Sequence, residues 1–253
     1  MDMKGSIAAI KDAITKSTAE RTSPEVISAA YAVVYLIGGV LLASARLLGA
    51  AGPFGMAAVA ASGAGLNGVA ALIGAAIGYI ISCGLAGSIR YLAAIVLVYT
   101  ISFAFQDTKL ASKSVFAPAT AAVSALSTGI LSSFTSVFTQ APAAAVVLIE
   151  TVFSFGGCWF FREAMSGRER TTESEELRYA GSVLITAAVL LMAVSQIEIF
   201  GAISLGRLVA VLIVMTCTLR CGIMTGCTIG TAFGIAMDLT AGGMPFYTMA
   251  YAF

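Results

Sequence analysis

Long apolar runs separated by few charges constrain this chain more than any other feature. A helix that crosses a bilayer needs about 20 mostly apolar residues, and such runs follow one another from Ile27 onward. Apolar residues make up 59% of the chain and charged residues 11%, whereas soluble domains have roughly 45–50% and about 25%. The sequence therefore predicts an all-α fold, a polytopic membrane helix bundle.

We expect about ten transmembrane helices within residues 27–253. In chain order the expected spans are 27–48, 53–64, 68–83, 90–106, 115–139, 143–161, 179–196, 205–219, 222–237 and a last one that starts at Pro245. Two short spans fit the Gly- and Ala-rich stretch between Pro53 and Cys83 better than one long span. The last run stops after nine residues, which predicts that a parent protein continues beyond it.

The distribution of basic residues supports this count, because Lys and Arg gather in the short cytoplasmic loops of membrane proteins. If the N-terminus is cytoplasmic, three of the 14 Lys and Arg residues fall outside, namely Arg46, Arg90 and Arg207, and the rest fall inside. Merging the two short spans would reverse every later loop and destroy this asymmetry. We therefore predict a multi-pass protein of the bacterial plasma membrane, with a cytoplasmic N-terminus and a charged cytoplasmic loop at 162–178.

Residues 1–26 form a basic cytoplasmic segment ahead of the first span. Ile7, Ile10 and Ile14 follow helical spacing, which places them on one face of a helix lying on the membrane surface. A loosely ordered basic tail explains the same residues equally well, and both interpretations remain open.

Composition excludes several classes of chemistry. The chain has no histidine, so Ser-His-Asp triads and histidine-containing zinc sites lack a required residue. Its five cysteines form no Cys-x-x-Cys pair, and we interpret them as reduced packing residues. A net charge of +1 in short patches leaves no footprint for nucleic acid. We expect no catalytic, cofactor-binding or metal-binding residue in this chain.

Glycine spacing predicts close helix packing at two places. Gly74 and Gly78 form one Gly-x-x-x-Gly pair, and a second set repeats every four residues at Gly222, Gly226, Gly230 and Gly234. Small residues in such rows allow membrane helices to approach closely. The partner helix could belong to the same chain or to a second copy. Gly63, Gly65 and Gly68 also spell the dinucleotide fingerprint, but the acid that should follow it is missing.

Glu150 is the most unusual residue, because it stands in the middle of an apolar run. An ionised carboxylate at membrane depth costs at least a few kcal/mol, so we expect Glu150 to face other helices and to be protonated or paired. A proton or ion relay and a structural interhelical contact are both possible roles. The scarcity of other charges within the spans favours the structural contact, and predicts that Glu150→Gln is mild.

These features together resemble the N-terminal membrane region of the stage II sporulation protein E family, membrane-bound phosphatases of endospore-forming bacteria. The resemblance rests on the run 34–48 followed by Gly52-Pro53-Phe54-Gly55, on Glu150 in the sixth span, on Glu175-Glu176 before the seventh, and on the glycine repeat followed by the Pro245 run. The family has about ten spans, then a cytoplasmic regulatory segment and a PP2C-type phosphatase domain that uses manganese or magnesium.

The resemblance implies that this chain anchors and localises such a phosphatase and that it self-associates as a homo-oligomer in the lipid bilayer. The parent would dephosphorylate an anti-anti-sigma factor, thereby activating a compartment-specific sigma factor, and would meet cell-division proteins at the polar septum. The phosphatase domain, with its metal ligands and catalytic residues, is absent from this chain. The alternative function is a secondary transporter or permease, which short Gly- or Pro-interrupted spans and an intramembrane acid would favour.

Overall fold

The computed structural model describes residues 24–49, 51–135, 144–166, 172–199, 203–241 and 246–252. The isoleucine stripe predicted near the N-terminus lies outside these ranges.

The described residues form a helix bundle, which confirms the all-α part of the predicted fold. The helices are α1 (Pro24–Ser44), α2 (Pro53–Ser62), α3 (Leu66–Ala104), α4 (Phe116–Thr135), α5 (Ala144–Ala164), α6 (Glu173–Val194), α7 (Leu205–Cys221), α8 (Ile223–Thr240) and α9 (Phe246–Ala252). Between α6 and α7, the two-residue strands β1 (Glu198–Ile199) and β2 (Ile203–Ser204) pair antiparallel. Helix α6 begins at Glu173, so the connection after α5 is shorter than the predicted loop at 162–178.

Four helices in the described part of the chain are long and apolar enough to cross a membrane: α3, α5, α6 and α8. Large apolar side chains are exposed along many helices, for example Val34, Ile81 and Phe134, as expected of surfaces that face lipid. The chain is therefore a membrane protein. Helix α2 has only 10 residues and is about 15 Å long, half the thickness of the apolar core of a bilayer.

Helix α3 is a hairpin, not one straight rod. Gly84 breaks it with φ 69° and ψ 169°, and the rings of Tyr79 and Tyr91 stack with centroids 4.7 Å apart. A Cβ on Gly68 would lie 3.3 Å from the ring of Tyr99, although a straight helix would separate these residues by about 46 Å. The two halves, 66–83 and 85–104, are therefore antiparallel. The predicted six-residue loop between spans 68–83 and 90–106 is not observed. Gly84 alone makes the turn, and Arg90 lies inside the second half of the helix.

The same turn joins α7 and α8. Gly222 has φ 92° and ψ 167°, nearly the values of Gly84, and only glycine adopts this region without strain. Thr218, four residues before the turn, contacts Gly226, four residues after it. Helices α7 and α8 are therefore antiparallel, and Gly222 is a turn residue and not part of the packing row that the sequence predicts.

Helix α2 lies at the centre of the bundle. Its residues 53–60 are all buried, and it packs against α1, α3, α4 and α5. Because Ala and Gly dominate its sequence, neighbouring helices can approach on every side. This central position explains why a helix of only 10 residues is so completely buried.

Candidate functional site

The candidate site forms around Glu150, on the buried face of α5. The buried residues of α5 are Val147, Glu150, Ser154, Gly157, Cys158 and Phe161. This spacing of three and four residues defines one helix face, and the helix turns that face toward α2 and α3. Glu150 has no exposed surface. It is the seventh residue of the 21 in α5, and thus lies nearer one end than the sequence predicts.

Three groups contact the Glu150 carboxylate. Arg90 forms an ion pair with Oε2, and the Tyr91 hydroxyl donates a hydrogen bond of 2.6 Å to Oε1. The Gly52 N–H donates to the same oxygen over 3.4 Å. Both carboxylate oxygens are therefore engaged, and the partners come from the second half of α3 and from the residue that precedes α2.

A second layer of aromatic contacts holds this arrangement. Tyr79 stacks on Tyr91 with an interplanar angle of 11°, and its hydroxyl donates to the Gly52 carbonyl and accepts from the Met56 N–H at 3.2 Å. A Cβ on Gly55 would lie 2.6 Å from the Tyr79 hydroxyl, so glycine is required there for the ring to lie against the helix. The Gly52-Pro53-Phe54-Gly55 motif thus belongs to the site.

The electrostatics of the site favour a carboxylate at this position. The start of α2 presents unsatisfied N–H groups and the positive end of the helix dipole, and Gly52 is its N-cap residue. The Arg90 guanidinium adds a full positive charge and lies 5.1 Å from the Tyr91 ring centroid. Ser154, one turn after Glu150, donates to the Pro53 carbonyl over 3.2 Å. Helix α2 is therefore tied to α5 at two successive turns.

Glu150 lines none of the main cavities in the described part of the chain. The apolar cavity that includes Val152 and Phe153, its near neighbours, has a volume of about 400 Å³ and is also walled by Phe54 and Met192. Apolar walls offer no partners for ordered water. Within the described ranges, no three His, Cys, Asp or Glu side chains lie close enough to hold a metal ion.

The predicted glycine pair lies at the contact between α1 and the first half of α3. A Cβ on Gly74 would collide with the Leu36 carbonyl, and one on Gly78 with the Val40 carbonyl. Gly39 of α1 in turn lies against the backbone at Ala71. The two segments run parallel here, and their backbones are in direct contact.

The later glycine repeat contacts two different partners, both in the same chain. Gly226 lies against Thr218 of α7, while Gly230 and Gly234 lie against the backbone of α9 at Tyr251 and Thr248. The sequence predicts one continuous groove for one helix. The structure divides it because Gly222 turns the chain and brings α7 onto the first part of the row.

Two parts of the site were missed by the sequence analysis. Arg90 is predicted to lie outside the membrane together with Arg46 and Arg207, and nothing in the sequence marks it out from them as the partner of Glu150. Tyr79 and Tyr91 carried no signal, because their stacking depends on the turn at Gly84. Away from this site, Asp238 near the end of α8 accepts hydrogen bonds from the backbone N–H groups of Tyr247 and Thr248.

Comparison with protein-family models, with curated proteins and with solved structures gives no match.

Proposed function

We propose that this chain is the membrane-anchoring, localising and self-associating region of a sporulation phosphatase resembling stage II sporulation protein E. The observation that carries the proposal is the full engagement of Glu150 by Arg90, Tyr91 and Gly52 in a site without exposed carboxylate surface. A carboxylate that moves protons or ions needs access to water, and Glu150 has no exposed surface and lines none of the main cavities of the described residues. This one instead joins α2, α3 and α5, as an anchor requires.

The resemblance supports the same proposal. Its most compact early motif, Gly52-Pro53-Phe54-Gly55, is packed against Tyr79 and Glu150, so two of the features that suggested the family meet in one place. By the resemblance, a manganese- or magnesium-dependent phosphatase domain would follow this chain in its parent, and the parent would meet cell-division proteins at the septum.

We also propose ten membrane crossings with a cytoplasmic N-terminus. Three contacts support alternating directions: α1 runs parallel to the first half of α3, the halves of α3 are antiparallel, and α2 runs parallel to α5. To test it, single cysteines replace Leu48, Ser112 or Ser174 in a variant without native cysteines. An impermeant thiol reagent applied outside should label only the first. External labelling at Ser174 would refute the ten-crossing topology.

The function is tested by localisation and by the parent's reading frame. A fluorescent fusion of the chain should concentrate at the polar septum of a sporulating bacterium, and the downstream sequence should encode a soluble domain with Asp-Gly metal motifs. An even distribution around the cell membrane, or further spans downstream, would contradict the proposal.

A secondary transporter is the second candidate, and one observation favours it. The ten-residue helix α2 starts at a buried carboxylate, and half-length helices with their N-termini at charged sites are typical of transporters. In proteoliposomes with an imposed pH gradient, a transporter would dissipate the gradient, and Glu150→Gln would abolish that flux. The anchoring proposal predicts no difference between proteoliposomes containing this chain and protein-free liposomes.

A further inference from the structure

A polar cavity of about 610 Å³ opens where the segment after α3 meets the end of α5 and the start of α6. Two arginines line it, Arg162 at the end of α5 and Arg178 in the second turn of α6, together with Trp159. It is separate from the Glu150 site, and nothing in the proposed anchoring function uses it.

Both arginines have guanidinium N–H groups that make no hydrogen bond within the described residues. A guanidinium carries five N–H groups, yet Arg162 makes one hydrogen bond, of 3.3 Å to the Ser114 carbonyl. In the described residues, Arg178 makes no side-chain hydrogen bond or ion pair, and Glu163, which also lines the cavity, pairs with neither arginine. Two cations that face one cavity repel each other unless an anion lies between them.

Neutral serine hydroxyls also line the cavity. Those of Ser112 and Ser166 donate to the carbonyls of Lys109 and Glu163 within their own turns. The guanidinium groups are the charged donors of this cavity, and their planar fork matches the oxygens of a phosphate.

A row of exposed apolar residues runs along α5 toward this cavity. Leu148, Val152 and Phe155 are exposed at positions i, i+4 and i+7, and Trp159 continues this row at i+11. Tryptophan is enriched where the apolar core of a membrane meets its headgroups. One ligand would fit both features if it had a phosphate at the arginines and an acyl chain along the row.

We propose that this cavity binds the phosphodiester headgroup of an anionic membrane lipid, with Arg162 and Arg178 as the phosphate donors and the exposed row of α5 as the acyl-chain contact. A lipid is favoured over an acidic protein segment because the exposed apolar row of α5 reaches the cavity at Trp159, and an acyl chain is the partner that such a row takes in a membrane protein. Basic pockets between the ends of transmembrane helices are known to select anionic headgroups.

The chain contains its own reporter, since Trp159 is its single tryptophan. The purified protein in neutral detergent is titrated with phosphatidylglycerol whose acyl chains carry bromine, which quenches tryptophan fluorescence on contact. Phosphatidylcholine with the same chains is the matched probe. We expect phosphatidylglycerol to quench at a lower concentration, and Arg162→Gln or Arg178→Gln to raise that concentration about fivefold each.

Arg220→Gln is the matched control, because Arg220 is an exposed arginine at the end of α7, outside the cavity. It should leave the titration unchanged. Equal quenching by the two lipids, or equal losses in Arg178→Gln and Arg220→Gln, would overturn the proposal. Inorganic phosphate at millimolar concentration and constant ionic strength separates the two phosphate sources. If it removes the preference for phosphatidylglycerol, the cavity takes a free anion and the lipid assignment is wrong.

Discussion

Glycines bring helices into backbone contact in two regions of this molecule, but in the described residues only the first of them contains an ion pair. In the first, Gly74 and Gly78 allow α3 to pack closely against α1. The next residue, Tyr79, stacks on Tyr91, which contacts the Glu150 carboxylate that is paired with Arg90. In the second, the glycines of α8 seat it on α7 and α9 without any ion pair among the described residues.

Both regions contain buried and exposed positions. In the first, Tyr79 is completely buried and Leu85 is 75% exposed; in the second, Met237 is completely buried and Met224 is 86% exposed. Small residues set how closely two membrane helices approach, while a buried polar contact selects which helices meet and in what register. The regions therefore differ in what sets their register: the buried ion pair in the first, and glycine contacts with hydrogen bonds in the second.

The largest effect is expected from breaking the ion pair on one side. Arg90→Met leaves the Glu150 carboxylate buried without its cation, which should lower the free energy of unfolding by about 3–5 kcal/mol. Glu150→Gln should also be harmful, in contrast to the mild effect that the sequence alone predicts, because Arg90 then loses its partner. The free energy of unfolding of both variants is measured by denaturation in detergent, with Trp159 fluorescence as the signal.

The double variant Arg90→Met with Glu150→Met is the informative control. Replacing both members of a buried pair by apolar groups is often nearly neutral, so most of the lost stability should return. If the double variant is as unstable as the single ones, the pair is not what holds the first region together.

The second-largest effect is expected from filling a glycine contact in the second region, at Gly230. A Leu side chain at Gly230 would meet the backbone carbonyl of Tyr251, and such overpacking costs about 3 kcal/mol at the upper end. Ile223→Leu, on an exposed position of the same helix, should change the thermal midpoint little. Equal midpoints for the two variants would mean that the glycine contact contributes nothing measurable.

The sequence predicts what depends on composition and spacing, and misses what depends on the turns. Apolar runs give the membrane bundle, and glycine spacing marks Gly74, Gly78 and Gly230 as contact positions. The expected spans place a reversal between residues 83 and 90, but they do not show that Gly84 alone makes it and that Arg90 lies inside the second helix, because a single glycine in an apolar run carries no specific turn signal. Since Arg90 reaches Glu150 through that hairpin, the ion pair could not be derived either.

The third effect tests the two hairpin glycines, one in each region. Gly84→Ala and Gly222→Ala force a Cβ into a conformation that only glycine adopts easily, at a cost of about 1–3 kcal/mol. Gly156→Ala is the matched control, because Gly156 is inside α5 with open space at its Cβ, and alanine there should stabilise the helix slightly. Thermal midpoints in detergent give the comparison, and a loss in the control equal to that at Gly84 would remove the conformational explanation.

The smallest effect is expected at Asp238, the polar group of the second region. Its carboxylate accepts hydrogen bonds of 2.8 and 2.9 Å from the Tyr247 and Thr248 N–H groups at the start of α9, an arrangement that resembles an N-cap, for which substitution costs about 1 kcal/mol. Asp238→Asn keeps one acceptor oxygen and should loosen only α9, seen as faster amide hydrogen exchange in α9 with a nearly unchanged thermal midpoint.

Asp107→Asn, at an exposed position after α3, is the control for a lost negative charge and should leave exchange in α9 as it is. The size of the Asp238 effect decides how different the two regions are. Asp238→Asn could instead unfold the whole bundle, as Arg90→Met is expected to do. That result would mean that each region depends on a buried carboxylate. Close glycine packing would then be insufficient to hold either region together.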